Sequence, residues 1–425
     1  MNTRLIVAAL IIGCVSPFSW AAENDATPTF QLITESPNGD LKNFVITAVN
    51  DNPRVNAAKF ALNASEFSLL AAGKPLYNPE LGFESENTEI QTRTIGISQT
   101  LDWSGKRSAR KKISAADNKM ALEQYKQIWQ DVSINVLSAL ASNQTSLERR
   151  ELTTQQVDLM QQFYELAEKR YAVGDLSLIE LNLAKLVYSD ARMQGATSAA
   201  EAVDKQQRLF MLSFNTPEIQ RPALDTNLKE ISKLMDPQSQ ILLLPSVRAA
   251  KFRLESSKAS VLLAKKQRRV DPTIGISGGK EGDENLVGLT FSIPIPIRNT
   301  YKNEERAANQ QFLQQEQLFM NVRWRAQTRL TSADSRYRIA LDAWKEWLTV
   351  GQSSLEQQHQ QLRRLWTSGD LSTTDFLVQA NQTINTQNSA LELRHSLWQA
   401  WFEWLAASGQ VNQWLGLPAI NSKQN

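Results

Sequence analysis

Cysteine and histidine are nearly absent from this chain of 425 residues. One cysteine, Cys14, and two histidines, His359 and His395, are present. A disulfide scaffold or a structural zinc site needs several such residues, so both classes are excluded and no metal site is predicted. The two histidines are isolated on polar stretches of predicted helix, so we expect them at the surface.

Neither sign of charge is in clear excess. The 46 Lys and Arg residues nearly balance the 44 Asp and Glu residues, so the net charge of +2 gives no reason to expect nucleic acid as a partner. After residue 22 no run of about 18 apolar residues exists, so no transmembrane helix is predicted. No nucleophile with its base, glycine-rich phosphate loop or metal-ligand cluster appears. The sequence therefore predicts neither an enzyme nor a bound cofactor.

Residues 1–22 have the pattern of a bacterial secretory signal peptide. Arg4 supplies the positive start, Leu5 to Val15 the apolar core, and Ser19-Trp20-Ala21 a small-x-small cleavage site. In a second interpretation, Ile11-Ile12-Gly13-Cys14 is a loose lipobox and Cys14 is the acylated first residue of the mature chain. We favour cleavage after the signal peptide, because the lipobox would leave a very short apolar core.

Two widely separated markers indicate an internal repeat. Ala57-Ala58-Lys59-Phe60 returns as Ala249-Ala250-Lys251-Phe252, 192 residues later. Gly174-Asp175-Leu176-Ser177 returns as Gly369-Asp370-Leu371-Ser372, 195 residues later. A period of that length is too long for a solenoid, whose units run to about 50 residues. The sequence therefore predicts one duplicated domain.

Alternating apolar residues predict a β-hairpin in each repeat. Ile95, Ile97, Leu101 and Trp103 alternate with other residues in the first repeat, and the second shows the same alternation at Val287, Leu289, Phe291, Ile293 and Ile295. At about 3.3 Å per residue such strands suit a tilted bilayer crossing. A soluble sandwich hairpin would show the same alternation, so the strands alone leave both possibilities open.

Long helices follow each predicted β-hairpin. Residues 106–173 contain neither Pro nor Gly and have apolar residues at three- and four-residue spacing, which predicts a helix roughly 100 Å long. The second copy has a similar reach from Lys302, interrupted by Gly351. A compact core cannot bury such helices, so they must pack along each other as a rod or as the wall of a tube. We attribute an aromatic stripe to this packing: Trp398, Trp401, Phe402 and Trp404.

The predicted organisation follows the repeat. Residues 1–22 form the signal peptide, and residues 412–425 form a C-terminal tail. The first repeat is predicted at residues 23–215, with a β-hairpin at about 79–103, a helical hairpin at about 106–212 and its tip at 173–175. A linker at 216–240 leads to the second repeat at 241–411, with a β-hairpin at about 272–296, a helical hairpin at about 299–408 and its tip at 368–370.

This duplicated plan resembles the TolC-like outer-membrane efflux proteins over nearly the whole mature chain. Each copy has a tip of Tyr or Trp, two residues and Gly, followed by Ser and an acidic residue. Two segments look most like the heavy-metal efflux branch: Leu101-Asp102-Trp103-Ser104-Gly105-Lys106-Arg107 and Ser292-Ile293-Pro294-Ile295-Pro296-Ile297-Arg298-Asn299.

The resemblance implies a mainly α fold with a transmembrane β-barrel. It implies a homotrimer whose protomers each give four strands to one barrel of twelve strands and helices to a long periplasmic tunnel. Four strands cannot close a barrel alone, because their edges would be unsatisfied in lipid. The implied function is an exit duct in the bacterial outer membrane. A periplasmic adaptor (membrane fusion) protein and an inner-membrane pump of the resistance-nodulation-division type would complete the system.

Heavy-metal cations are the expected cargo, with drugs or secreted proteins as the alternative. A periplasmic adaptor or coiled-coil scaffold is a hypothesis from a different class, since such proteins also combine helical hairpins with strands. The strict duplication, and apolar faces on the hairpins of both copies, weaken that second hypothesis.

Docking and gating residues are expected around the tips. The resemblance implies that the adaptor docks at Val173, Gly174, Asp175, Ser368, Gly369 and Asp370, although the glycines would end helices in any case. It also implies a pore-facing carboxylate at Asp375. The usual second acidic position is Val378, so Glu180 is the candidate for the other gate charges. Alternatively, Asp375 and Glu180 only stabilise the first turns of their helices through the helix dipole.

Basic residues cluster where strands meet helices. In the implied fold they would encircle the periplasmic rim beside anionic outer-membrane lipids, although a charge run is often just a solvated face. The predicted lipid-headgroup rim consists of Lys106, Arg107, Lys265, Lys266, Arg268 and Arg269.

Overall fold

The computed structural model describes residues 39–213, 222–224, 228, 230–231, 237–368 and 371–417. The predicted signal peptide and tip residues Gly369 and Asp370 lie outside these ranges, as does most of the predicted linker. Three helices lie outside the repeated unit: α1 (Gly39–Asn50), α5 (Pro237–Leu243) and α10 (Val411–Trp414).

Two copies of one helix–strand–strand–helix–helix unit make up the fold. The first copy contains α2 (Pro53–Ala72), β1 (Glu80–Asn87), β2 (Gln91–Thr100), α3 (Lys106–Ala172) and α4 (Leu178–Ser213). The second contains α6 (Pro245–Gln267), β3 (Thr273–Glu281), β4 (Glu284–Ser292), α7 (Lys302–Glu346), a π-helical turn (Trp347–Gly351), α8 (Gln352–Ser368) and α9 (Thr373–Ser408). The predicted duplicated, mainly helical fold is confirmed.

The four strands form one antiparallel sheet in the order β1-β2-β3-β4, with β1 and β4 at its edges. Because side chains alternate along a strand, the register places Leu81, Ile97, Ile276 and Leu289 in one row on one face. The neighbouring row on the other face is Gly82, Gly96, Ser277 and Gly288. The apolar row is uncovered in the single chain: Leu81 and Leu289 are 76% and 86% exposed.

The two helical hairpins have matching lengths. α3 has 67 residues and α4 has 36. In the second copy, α7, the π-helical turn and α8 have 45, 5 and 17 residues, 67 in all, and α9 has 36. Gly351 permits the π-helical turn, because a β-carbon there would overlap the Trp347 ring. None of the helices in the described ranges is both long enough and apolar enough to cross a membrane.

The main core lies where the two repeats meet, midway along the helices. The aromatic stripe of α9 is buried there, with Trp401 5.1 Å from Tyr337 and 5.2 Å from Trp404 between ring centroids. The interpretation of this stripe as helix packing is confirmed. A smaller cluster lies nearer the tips, where Phe163 stacks on Phe376 at 5.1 Å and joins the two hairpins.

Candidate functional site

The predicted gate carboxylates occupy the same position in two capping boxes. Ser177 donates to Glu180 Oε2 from its hydroxyl (2.7 Å) and its backbone N–H (3.0 Å), and the Glu180 N–H donates to Ser177 Oγ (3.2 Å). At the second hairpin, the Ser372 hydroxyl donates to Asp375 Oδ2 (2.7 Å) and receives the Asp375 N–H (3.1 Å). Both carboxylates therefore stabilise helix starts.

Capping leaves the negative charge of these residues in place. The hydrogen bonds from the Ser177 hydroxyl and backbone lower the pKa of Glu180, so this carboxylate stays ionised at neutral pH. Asp375 is exposed, and so is Val378 at the usual second acidic position. The helix-start role fits the geometry of the single chain. A pore gate needs several copies of these carboxylates around one axis, so the gating role of Glu180 and Asp375 stays a prediction.

The first tip is a Schellman motif. The Gly174 N–H donates to the Tyr171 carbonyl (3.0 Å), the Asp175 N–H donates to the Arg170 carbonyl (2.9 Å), and Gly174 has a φ of +82° that favours glycine. Apolar side chains stand uncovered beside it, with Val173 79% exposed and Ile179 81% exposed. The sequence analysis did not select Ile179. Docking at the tips stays a prediction, and Gly369 and Asp370 lie outside the described residues.

Most of the predicted basic rim is bonded within the chain. Lys266 Nζ donates to the Gly105 carbonyl (2.8 Å), Arg107 Nε donates to the Gly73 carbonyl (2.7 Å), and Arg268 pairs with Glu305 (2.8 Å). Lys106 pairs with Asp271 (2.9 Å). Lys265 and Arg269 make no side-chain hydrogen bond or ion pair within the described ranges. These two cations are therefore the freest to meet lipid headgroups, and the headgroup role stays a prediction.

Asp271 is a key residue that the sequence analysis missed. It is 5% exposed and accepts hydrogen bonds from the Tyr77 hydroxyl (2.8 Å) and from Lys106 Nζ (2.9 Å). Burial, followed by the hydrogen bond to Asp271, raises the pKa of Tyr77 to about 12, which keeps the phenol protonated as a donor. The partners lie 194 and 165 residues away in sequence, so no local pattern could have revealed this cluster.

His395 corrects one sequence-based expectation. Its ring is half-buried between α9 and α3, with Nδ1 3.5 Å from Thr145 Oγ1, and burial lowers its pKa. The predicted surface position is therefore wrong for this residue. The His359 side chain lies outside the described part. Within the described ranges, no group of three or more His, Cys, Asp or Glu side chains can hold a metal ion.

Comparison with known proteins bears on the first repeat and on the whole fold. Residues 42–213 match the outer membrane efflux protein family. This match confirms the family resemblance. One protein similar to this chain is the cobalt-zinc-cadmium resistance protein CzcC of Cupriavidus metallidurans, 24% identical over 308 residues that cover 70% of this chain and 73% of CzcC.

Several solved structures share the fold of this chain. CusC, whose crystal structures concern folding and transmembrane channel formation, has a TM-score of 0.75 at 16% identity and covers 90% of this chain and 95% of its own. The Campylobacter jejuni CmeC outer membrane channel has a TM-score of 0.74 at 15% identity, covering 96% of this chain and 94% of CmeC. The likeness therefore extends across both repeats.

Proposed function

We propose that the protein is the outer-membrane exit duct of a tripartite resistance-nodulation-division efflux system that exports heavy-metal cations. The exposed apolar face of the four-stranded sheet carries this proposal. In water, a continuous row such as Leu81, Ile97, Ile276 and Leu289 would lose the free energy gained by burying apolar surface. Lipid covers such a row at no such cost.

The free edges of the sheet require more than one copy. β1 and β4 each carry backbone groups without a strand partner in the single chain's sheet, and unsatisfied backbone groups are costly in lipid. Pairing β4 of one protomer with β1 of the next removes these edges. We propose a homotrimer with one barrel of twelve strands, continued into the periplasm by the long helices.

Partners and cargo follow from the same assembly. The helical tips face away from the sheet, so a periplasmic adaptor would dock there and connect the duct to the inner-membrane pump. One carboxylate lies near each tip, Glu180 at the first and Asp375 at the second. Around the narrow axis of a trimer, these negative charges would concentrate cations. Heavy-metal cations are supported as cargo by the likeness to CzcC, a protein named for cobalt, zinc and cadmium resistance.

Two neighbouring residues of β4 test the membrane orientation of the sheet. Leu289 lies on the apolar face and Thr290 on the other, because adjacent side chains alternate. Leu289→Arg should abolish assembly in the outer membrane, since an arginine facing lipid costs about 2 to 4 kcal/mol at the bilayer midplane. Thr290→Arg is the matched control and should assemble.

The readouts are outer-membrane fractionation and conductance in planar bilayers. The parent and Thr290→Arg should both fractionate with the outer membrane and form channels. Normal assembly of Leu289→Arg, or recovery of the parent outside the outer membrane, would refute the proposal.

A further inference from the structure

A groove of about 680 Å³ runs between α3, α6 and α7, close to the sheet. α3 begins at Lys106, shortly after β2, and α6 ends at Gln267, shortly before β3. The groove includes Lys112 on α3 and Lys265 on α6. At 1.5 Å per residue, both lysines lie within roughly 10 Å of the junction between helices and strands.

Positive charge dominates the groove walls. Lys112 and Lys119 stand two turns apart on α3, and Lys258 and Lys265 stand two turns apart on α6. All four are exposed, and Glu255 is the carboxylate that lines the groove with them. Lys112, Lys258 and Lys265 form no ion pair with any residue that the structure describes. Glu255 can offset one of the four positive charges, so the groove keeps a net positive charge and an anion is the complementary ligand.

Apart from Asn309, the uncharged residues that line the groove are apolar, and we call this surface the floor: Ala115, Ala116, Ala259, Val261, Leu262 and Phe312. Small side chains at Ala115 and Ala259 leave room for a chain to lie along the helices. A free inorganic anion would make no use of this floor. A ligand that carries both an anionic group and hydrocarbon fits the walls and the floor together.

We propose that this groove binds an anionic phospholipid, with its phosphate among the four lysines and part of an acyl chain on the apolar floor. This inference rests on the proposed outer-membrane location, in which the junction of strands and helices lies at the headgroups of the periplasmic leaflet. Lysines near an anionic surface each contribute roughly fivefold in affinity before screening by salt. The phosphodiester of the bound lipid would offset one of the positive charges of the groove and fasten α3 and α6 beneath the membrane.

The experiment measures lipid retained by the purified full-length protein. The chain is stripped of lipid in detergent, incubated with phosphatidylglycerol or with phosphatidylcholine of the same acyl chains, and examined by native mass spectrometry. K112Q/K119Q/K258Q/K265Q should retain phosphatidylglycerol at least about tenfold more weakly than the parent. The control K74Q/K111Q/K169Q/K251Q removes the same number of charges elsewhere and should match the parent.

A second variant separates a lipid from a simple anion. Ala259→Phe fills the floor and keeps every lysine, so it should weaken phosphatidylglycerol retention but leave phosphatidylcholine retention unchanged. Equal retention by the parent and the lysine variant would overturn the proposal. Complete displacement of phosphatidylglycerol by millimolar inorganic phosphate, with no effect of Ala259→Phe, would reassign the groove to small anions and also overturn it.

Separate measurements distinguish failure of the groove from failure of the proposed function. If the parent fractionates with the outer membrane and conducts but retains both lipids equally, the groove inference fails and the duct stands. If the parent does not fractionate with the outer membrane, the duct proposal itself fails. A lower yield of assembled protein in the lysine variant, with unchanged retention per chain, would assign the groove to contact between copies and reject the lipid.

Discussion

At the scale of single residues, Asp271 joins the two repeats at the base of the sheet. It precedes β3 in the second repeat, and its partners Tyr77 and Lys106 belong to the first. Asp271 and Lys106 are 4% and 13% exposed in their side chains, so their ion pair is only weakly screened by water. Removing one partner leaves a buried charge without compensation.

We expect Asp271→Asn to lower the free energy of unfolding by about 3 kcal/mol, because Lys106 then keeps its charge without a counterion. Urea titration of the purified chain measures the change. Asp117→Asn on α3 is the control and should change stability by no more than about 0.5 kcal/mol. Similar midpoints for the two variants would show that the Asp271 pair contributes nothing measurable.

The gate prediction can be separated from helix capping. In Asp375→Asn the amide oxygen can still accept the Ser372 hydroxyl, so the cap persists while the charge is lost. We expect this variant to lose cation selectivity in planar bilayers, with a smaller loss for Glu180→Gln. The contribution of Glu180 to selectivity, measured in the Asp375→Asn background, should persist in mild acid and fall as the pH drops through its lowered pKa. Unchanged selectivity and divalent block in both variants would leave capping as their role.

At the scale of elements, the hairpin tips offer the sharpest test of docking. Asp175→Arg combined with Asp370→Arg reverses the charge at both tips, and we expect it to abolish metal resistance and adaptor crosslinking. Assembly should be unaffected, because Asp175 is exposed and its structural contribution is a backbone hydrogen bond. Asp204→Arg, exposed on α4 away from the tip, is the control. Crosslinking that survives in the double variant would rule out these tips as the docking site.

The sequence predicts elements well where one physical period dominates. Alternation at Ile95 and Ile97 predicts a strand, and the uninterrupted helical spacing of residues 106–173 predicts α3. The π-helical turn could not be predicted in this way. It depends on the Trp347 ring lying where a β-carbon of Gly351 would be, a contact that only the folded chain defines. The burial of the His395 ring could not be predicted for a related reason, because α3, a distant part of the sequence, covers the ring.

At the scale of the whole molecule, the edge strands should pair between copies. Cys14 is the one native cysteine, so introduced pairs give little background. We expect Ser85→Cys in β1, combined with a cysteine scanned through β4, to give an oxidation-dependent ladder that ends at three linked chains. Pairs with one cysteine in β2 and one in β3 should link only within a chain, since these strands are neighbours in one sheet. A ladder that passes three, or no linkage at any scanned position, would contradict trimeric closure.

The equal hairpin lengths have a consequence for the end of the molecule farthest from the sheet. Since each hairpin goes out over 67 residues and returns over 36, both turns finish at nearly the same height. In a trimer, the six turns would then form a ring at one height along the axis. Deleting one helical turn from a single hairpin would introduce a step of about 5.4 Å at three of the six positions. A flat partner surface could then touch only alternate turns, so the joint would leak although the residues of every turn were unchanged.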